Sequence, residues 1–225
     1  MALILSIETS THVCSVALHE DAQLIGVYEL FTEKSHASAI TLLIDQLLHN
    51  AGFQLADISA VAVSKGPGSY TGLRIGVATA KGLCYALDKP LISVSTLQAM
   101  AYGVSKQYPI KDFLFCPMLD ARRMEVYCEV FTSELESVLP VDARIIQEHS
   151  FDELLASNRV VFFGNGAAKC KPLLSHQPTA LFADDVYPSA KYTGVLAHQH
   201  YLKNMFENIA YFEPFYLKEF FYKKA

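Results

Sequence analysis

The chain has 225 residues, 18 Lys+Arg against 23 Asp+Glu, and a formal charge of −5. At 52% hydrophobic and 18% charged residues it has the composition of a folded globular protein, and a chain of this length buries roughly 70% of its unfolded surface, enough for one large core or two compact lobes. The negative balance argues against nonspecific nucleic-acid binding as the main activity, because Lys and Arg supply most of the affinity for phosphate.

The opening reads as a meander. Leu3–Glu8 is apolar and β-prone, Thr9-Ser10-Thr11-His12 is turn chemistry, and strands follow over Val13–Leu18 and Leu24–Leu30. A helix is expected from about Ser35 to Asn50, where Ile40, Leu43, Ile44, Leu47 and Ala51 recur at helical spacing and Gly52 provides a stop. Leu42 and Leu48 widen its apolar stripe beyond what one buried face needs. Ala60–Ser64 is a buried strand that runs into Gly66-Pro67-Gly68-Ser69 and a helix from about Tyr70 to Leu87. A strand over Leu91–Val94 precedes a helix starting near Ser95. Alternating strands and helices indicate α/β architecture with parallel pairs.

A second unit is expected to begin near residue 105, dividing the chain into 1–104 and 105–225, with the aromatic C-terminal end packing back on the first unit. In it, Phe113–Leu119 and Met124–Phe131 are strands joined by Asp120-Ala121-Arg122-Arg123. Ser150-Phe151-Asp152-Glu153 reads as a capping box. Val160–Phe163 is a strand ending in Gly164-Asn165-Gly166, and Ser189 caps a helix to about Phe206. No short repeat is visible. The five cysteines are an odd number, widely spaced in apolar segments, and read as buried thiols in a reducing compartment. No apolar run approaches the ~18 residues of a membrane span, and Met1–Ser6 lacks the basic start of a signal peptide. A soluble cytoplasmic protein is the expectation.

The glycine-rich string Lys65–Gly72 follows a strand and opens a helix, where backbone N–H groups are able to hold an anion. It matches neither the P-loop nor the dinucleotide fingerprint, since position 71 is Thr, so a tight strand-to-helix turn and a phosphate loop both stay open. On the following helix Gly72, Gly76 and Ala80 share one face, beside an apolar surface of Leu73, Val77, Ala80 and Cys84. Each glycine costs roughly 1 kcal/mol relative to alanine inside a helix, so close approach of another backbone is the expected return. That backbone belongs either to this chain's core or to a partner. The eight histidines show no ligand grouping in sequence, and the arginines of Asp120–Arg123 serve either an anion or a turn paired with neighbouring acids.

Together these strings resemble the bacterial TsaB (YeaZ) family. The matching segments are Ile4–Thr11 with Cys14–Leu18, Lys34-Ser35-His36, Lys65–Leu83 (KGPGSYTGLRIGVATAKGL), Asp120–Tyr127 (DARRMEVY) and Glu213–Leu217; the match is dense to residue 127 and thin from about 135 to 210. The resemblance implies an actin-like, ribonuclease-H-like α/β fold in two lobes. It also implies a non-catalytic scaffold for the related transferase TsaD, working with the ATPase TsaE, in installing N6-threonylcarbamoyl on the adenosine that follows the tRNA anticodon. Pairing with TsaD uses the first two helices of each protein, and a homodimer forms when TsaD is absent. No cofactor, catalytic group or metal is implied, and tRNA is met only through the complex. The metal motif of TsaD, His-x-x-x-His, is half missing here, because His36 is followed four residues later by Ile40. The first loop carries Glu8 in place of the usual Asp.

The expected partner surface is His36, Ile40, Leu43 and Leu47 on the first helix with Gly72, Leu73, Gly76, Val77 and Ala80 on the second. A bulky charge at Gly76 or Leu43 is expected to abolish assembly and leave the isolated fold largely intact. The competing readings are an actin-like phosphotransferase or glycoprotease-like peptidase, and a direct tRNA-binding module using Arg122, Arg123, Lys218, Lys223 and Lys224.

Overall fold

The computed structural model describes residues 1–31, 36–108 and 112–218. Lys34, Ser35, Lys223 and Lys224, all singled out above, lie outside the described residues. The elements run β1 (Leu3–Glu8), β2 (Val13–Glu20), β3 (Gln23–Phe31), α1 (His36–Ala51), β4 (Ala60–Gly66), α2 (Tyr70–Leu87), β5 (Leu91–Ser95) and α3 (Thr96–Gln107). They continue with β6 (Phe113–Asp120), β7 (Glu125–Phe131), β8 (Ser137–Ile145), α4 (Asp152–Leu155), β9 (Arg159–Phe163), α5 (Ala167–Leu174), β10 (Ala180–Ala183) and α6 (Ala190–Leu202). Two compact units result, one of Met1–Ala99 with Pro188–Phe215, the other of Met100–Tyr187 with the chain from Tyr216.

In the first unit five strands lie in the order β3-β2-β1-β4-β5, with β2 antiparallel to its neighbours and β1, β4 and β5 parallel. The pleat sends Leu3, Leu5 and Ile7 of β1 and Cys14, Val16 and Leu18 of β2 to one face. There they pack with Ile40, Ile44, Leu47 and Leu48 of α1 and Val77, Ala80 and Cys84 of α2. The opposite face carries smaller and more polar residues, among them Ser15, Ala17, Ala60, Ala62 and Ser64, all buried. It is covered by α6, whose own buried positions are Ala190, Thr193, Gly194, Leu196 and Ala197. A strand covered on both faces needs no polar alternation, which is why every residue of β1 is buried.

The α6 helix begins as expected, with Ser189 Oγ accepting from Lys191 N at 3.2 Å. Its place differs from the sequence reading, which assigned 105–225 to the second unit and expected only the aromatic C-terminal end to pack back on the first. Ala190 N donates to Ser15 Oγ (3.0 Å), His19 Nε2 donates to Lys191 O (3.0 Å), and Glu207 N donates to Leu91 O (2.8 Å). Residues 188–215 therefore belong with the first sheet. A sequence boundary is drawn where composition changes, and composition is blind to a helix that returns from far along the chain.

The second unit repeats the topology of the first: β10-β9-β6-β7-β8, with β6–β7 and β7–β8 antiparallel and β6–β9 and β9–β10 parallel. In each unit the first strand pairs with the second and the fourth, and the fifth lies outside the fourth. No repeat in the sequence announced this duplication. The elements β8, α5 and β10 were not foreseen. The expected capping box at Ser150 does not form: Phe151 is the N-cap of the four-residue α4, and Ser150 Oγ accepts from Gln147 N (2.8 Å) instead. Phe151, Phe162 and Phe182 stack into a core with Cys116, Cys128, Cys170 and Leu174. No helix among the described residues is long and apolar enough to cross a membrane.

Candidate functional site

Glu8 closes β1 and Asp120 closes β6, the corresponding strand of the second unit. Each carboxylate turns back on its own chain. Glu8 Oε1 accepts from Ser10 N at 2.6 Å, and Asp120 Oδ1 accepts from Arg122 N at 2.9 Å. Glu8 is fully buried and burial pushes its carboxyl above the usual range, against the opposing pull of the Ser10 hydrogen bond. Asp120 is also ion-paired to Lys169, whose ammonium donates to the carbonyls of Arg123 and Glu125 at 2.7 Å each. The turn thus recruits Lys169 from α5. The arginines beside Asp120 supply no such pairing, and among the described residues neither guanidinium takes a hydrogen bond or ion pair. Arg122 and Arg123 both hold positive φ, 73° and 50°, with exposed side chains.

The loop after the fourth strand clasps the first turn in both units. Ser69 N donates to Ser10 O (2.7 Å), while Gly166 N donates to Met118 O and Asp120 N to Asn165 Oδ1, at 2.9 and 3.0 Å. A Cβ at Gly68 would lie 2.5 Å from Ser10 O. The glycine loop is thereby a close-packed strand-to-helix turn, and its Ser69 amide is spent on the neighbouring turn.

The small-residue ridge of α2 has the same explanation. An ideal Cβ at Gly72 would sit 2.1 Å from Thr9 O, and one at Gly76 would sit 2.3 Å from Thr9 Oγ1. Thr9 Oγ1 donates to Gly72 O at 2.8 Å. The backbone that the glycines admit is this chain's own β1–β2 turn. Leu73, Val77 and Ala80 on the same side are buried, as are Ile40 and Leu47 on α1. His36 is buried too, its Nε2 donating to Thr11 O at 2.7 Å. Eight of the nine residues expected to face a partner therefore face this chain's interior, with only Leu43 partly exposed. The expectation that a bulky charge at Gly76 leaves the fold largely intact is corrected for the same reason: the side chain would enter the β1–β2 turn.

The outward faces of the same helices carry exposed side chains, of which the wide apolar stripe of α1 announced Leu42 and nothing in the spacing announced Tyr85. On α1, Leu42 is 55% exposed, whereas Leu48, the other leucine outside the expected stripe, is buried. On α2 the exposed positions Thr71, Arg74, Ala78, Gly82 and the pair Tyr85 and Ala86 recur at intervals of three and four, a single stripe along the helix. Tyr85 is 86% exposed, Arg74 stacks over the Tyr70 ring at 4.5 Å, and a Cβ at Gly82 would meet nothing within 4 Å. A glycine in open space mid-helix and an aromatic ring in water are the signals that sequence spacing alone left unread. Beside this stripe, Lys81 Nζ donates to the carbonyls of Ala210 and Phe212 (3.3 and 3.1 Å), and Phe215 N donates to Lys65 O (2.7 Å), fixing the C-terminal segment against α2 and the glycine loop.

Residues 12–224 match the family model described as TsaD: tRNA N6-adenosine threonylcarbamoyltransferase. A tRNA threonylcarbamoyladenosine biosynthesis protein TsaB from Bacillus subtilis is 33% identical over 175 residues, 76% of this chain and 74% of that protein. Among solved structures, a Pseudomonas aeruginosa protein described as similar to peptidase YeaZ superposes with a TM-score of 0.86 at 24% identity, covering 97% of this chain and all of that one. Component A of the Acidaminococcus fermentans (R)-2-hydroxyglutaryl-CoA dehydratase reaches 0.52 at 10% identity over 88% of this chain and 98% of that one. The two-lobed actin-like α/β fold expected from the sequence is thus the fold of this chain.

Proposed function

The chain belongs to the TsaB (YeaZ) family, and from that membership we propose that it is a non-catalytic, cytoplasmic scaffold subunit of the tRNA threonylcarbamoyladenosine machinery. It binds TsaD through the outward faces of α1 and α2, works with TsaE, and pairs with a second copy of itself when TsaD is absent. The observation that carries the interface is the exposed stripe Arg74-Ala78-Gly82-Tyr85 of α2 together with the exposed Leu42 of α1, on helices whose opposite faces are already used by the core. A stripe of small residues flanked by an aromatic anchor and an arginine lets a partner helix approach closely and supplies the residue types that dominate binding energy.

The same geometry supports the non-catalytic reading over a phosphotransferase. Nucleotide hydrolysis in this fold needs ionised carboxylates directed at metal and phosphate. Here Glu8 is buried with Oε1 bound to the Ser10 amide, and Asp120 is tied to Lys169 and its own turn. In this reading tRNA meets the chain through the assembled complex.

Light scattering behind size exclusion tests the proposal, on the protein alone and mixed with TsaD from the same organism. A homodimer that exchanges into a heterodimer is expected. Tyr85→Glu and Leu42→Asp should each prevent that exchange with a thermal midpoint close to wild type, because both side chains already lie in water. A chain indifferent to TsaD sinks the scaffold reading, and normal assembly of the Tyr85→Glu, Leu42→Asp double variant sinks the interface.

A further inference from the structure

The stretch from 135 to 210, where the family resemblance is thinnest, brings together two histidines and an aspartate that lie 27 residues apart in sequence at the extremes. His149 stands just before α4, Asp152 is its first residue, and His176 follows α5. His149 Nδ1 is 2.7 Å and His176 Nε2 is 3.7 Å from the two oxygens of Asp152, Oδ2 and Oδ1 respectively. One donor atom from each residue falls within 4.8 Å of the others. We propose that His149 Nδ1, Asp152 and His176 Nε2 form a surface site for a divalent transition-metal ion, Zn2+ above all, that fastens the start of α4 to the loop following α5.

Ligand chemistry and spacing support it. Neutral imidazole nitrogen and carboxylate oxygen are zinc ligands at about 2.0–2.2 Å. In a tetrahedral site such bonds put ligand atoms roughly 3.4 Å apart, and the two observed separations straddle that figure. The supporting contacts are those a metal-binding histidine requires. His176 Nδ1 donates to Leu173 O at 2.9 Å, which leaves the lone pair on Nε2, the atom facing Asp152. Gln177 Nε2 donates to Asp152 Oδ1 at 3.3 Å, steadying the carboxylate. Without the ion the 2.7 Å contact between His149 Nδ1 and Asp152 Oδ2 is a hydrogen bond, and Zn2+ would take the place of its proton, using the Nδ1 lone pair of the neutral imidazole. The two rings meet edge to face with centroids 6.2 Å apart, and the His149 side chain is largely exposed, so water can complete the coordination. All five thiols are buried, so in the folded chain they do not compete for the ion.

This site is independent of the scaffold reading, since it lies in the second unit and involves none of the residues of α1 or α2. The test is calorimetric titration of the full chain, free of any polyhistidine tag, with ZnCl2 at pH 7.5, accompanied by thermal unfolding with and without the ion. One Zn2+ per chain and a raised unfolding midpoint are expected, with Mg2+ inactive in both assays. Loss of an outer-shell partner alone typically weakens a metal site about 10–100-fold, so His149→Ala and His176→Ala should each weaken Zn2+ binding by at least about 100-fold. Both positions are exposed enough for the variants to keep the wild-type midpoint in chelator. Co2+ binding with the ligand-field spectrum of a nitrogen- and oxygen-ligated ion, absent from the His149→Ala, His176→Ala double variant, would add support. Zn2+ affinity that survives in that double variant, or a folded wild-type chain that takes up no Zn2+, overturns the proposal.

Discussion

Replacing Gly72 by alanine separates two roles that glycine can have in a helix. In an exposed helix interior the change is favourable by roughly 1 kcal/mol, because alanine loses less backbone entropy. At position 72 the new Cβ would stand 2.1 Å from the Thr9 carbonyl oxygen, a backbone atom with no rotamer to yield. To relieve it α2 must draw back from the β1–β2 turn, giving up the 2.8 Å bond from Thr9 Oγ1 to Gly72 O, worth about 1 kcal/mol. The overpacking itself costs about 1–3 kcal/mol. After the propensity gain the net loss is about 1–3 kcal/mol. Gly82→Ala, ten residues along the same helix, meets nothing within 4 Å and should stabilise by about 0.5–1 kcal/mol. Urea unfolding followed by circular dichroism reads both changes as shifts of the midpoint at constant slope. Equal midpoints for wild type and Gly72→Ala, or a higher one for the variant, would refute the claim that the ridge is spent on this chain's own turn.

Three further outcomes follow from buried groups. His19 is held neutral by burial, its pKa lowered to about 4 from 6.5. The unfolded chain therefore binds the extra proton first, and about 3 kcal/mol of stability is lost as pH falls from about 6.5 to about 4. In urea titrations across that window, His19→Gln, which keeps a donor for Lys191 O, should lower the proton uptake on unfolding by nearly one. An unchanged pH slope would show that His19 is not the group responsible. Glu8 shifts in the opposite sense: its raised pKa means stability present below about pH 4.5 and lost as pH rises through the folded value. Glu8→Gln should consequently raise the thermal midpoint at pH 8 and gain little at pH 4.5, and a lowered midpoint at pH 8 would contradict it. Burial pushes the Cys14, Cys84 and Cys170 thiols up to about 11. Thiol titration with a disulfide reagent at pH 8 should find none of the five cysteines fast in the native chain and all five after denaturation, and a fast native thiol would contradict the packing.

The first unit was legible in the sequence almost element by element. Apolar runs in β1 and β4, turn residues at Thr9–His12, helical spacing in α1 and a Gly-Pro-Gly string before α2 are local signals, and local physics placed them correctly. Equally legible was that the α2 glycines admit a close neighbour, because helical glycine has a cost that something must offset. Which neighbour was a tertiary matter: the Thr9 carbonyl lies 63 residues away in sequence from Gly72. Periodicity marks a helix's apolar side without saying what covers it: eight positions expected at an interface lie in this chain's core, and of the outer side the extra leucine at 42 was legible whereas the exposure of Tyr85 was not. The duplicated sheet order, the return of α6 to the first unit, the Lys169 clamp on Asp120 and the meeting of His149 and Asp152 with His176 belong to the same class. Each joins residues through the pairing of distant strands or the docking of a distant helix, and such contacts leave no trace in the spacing of either segment read alone.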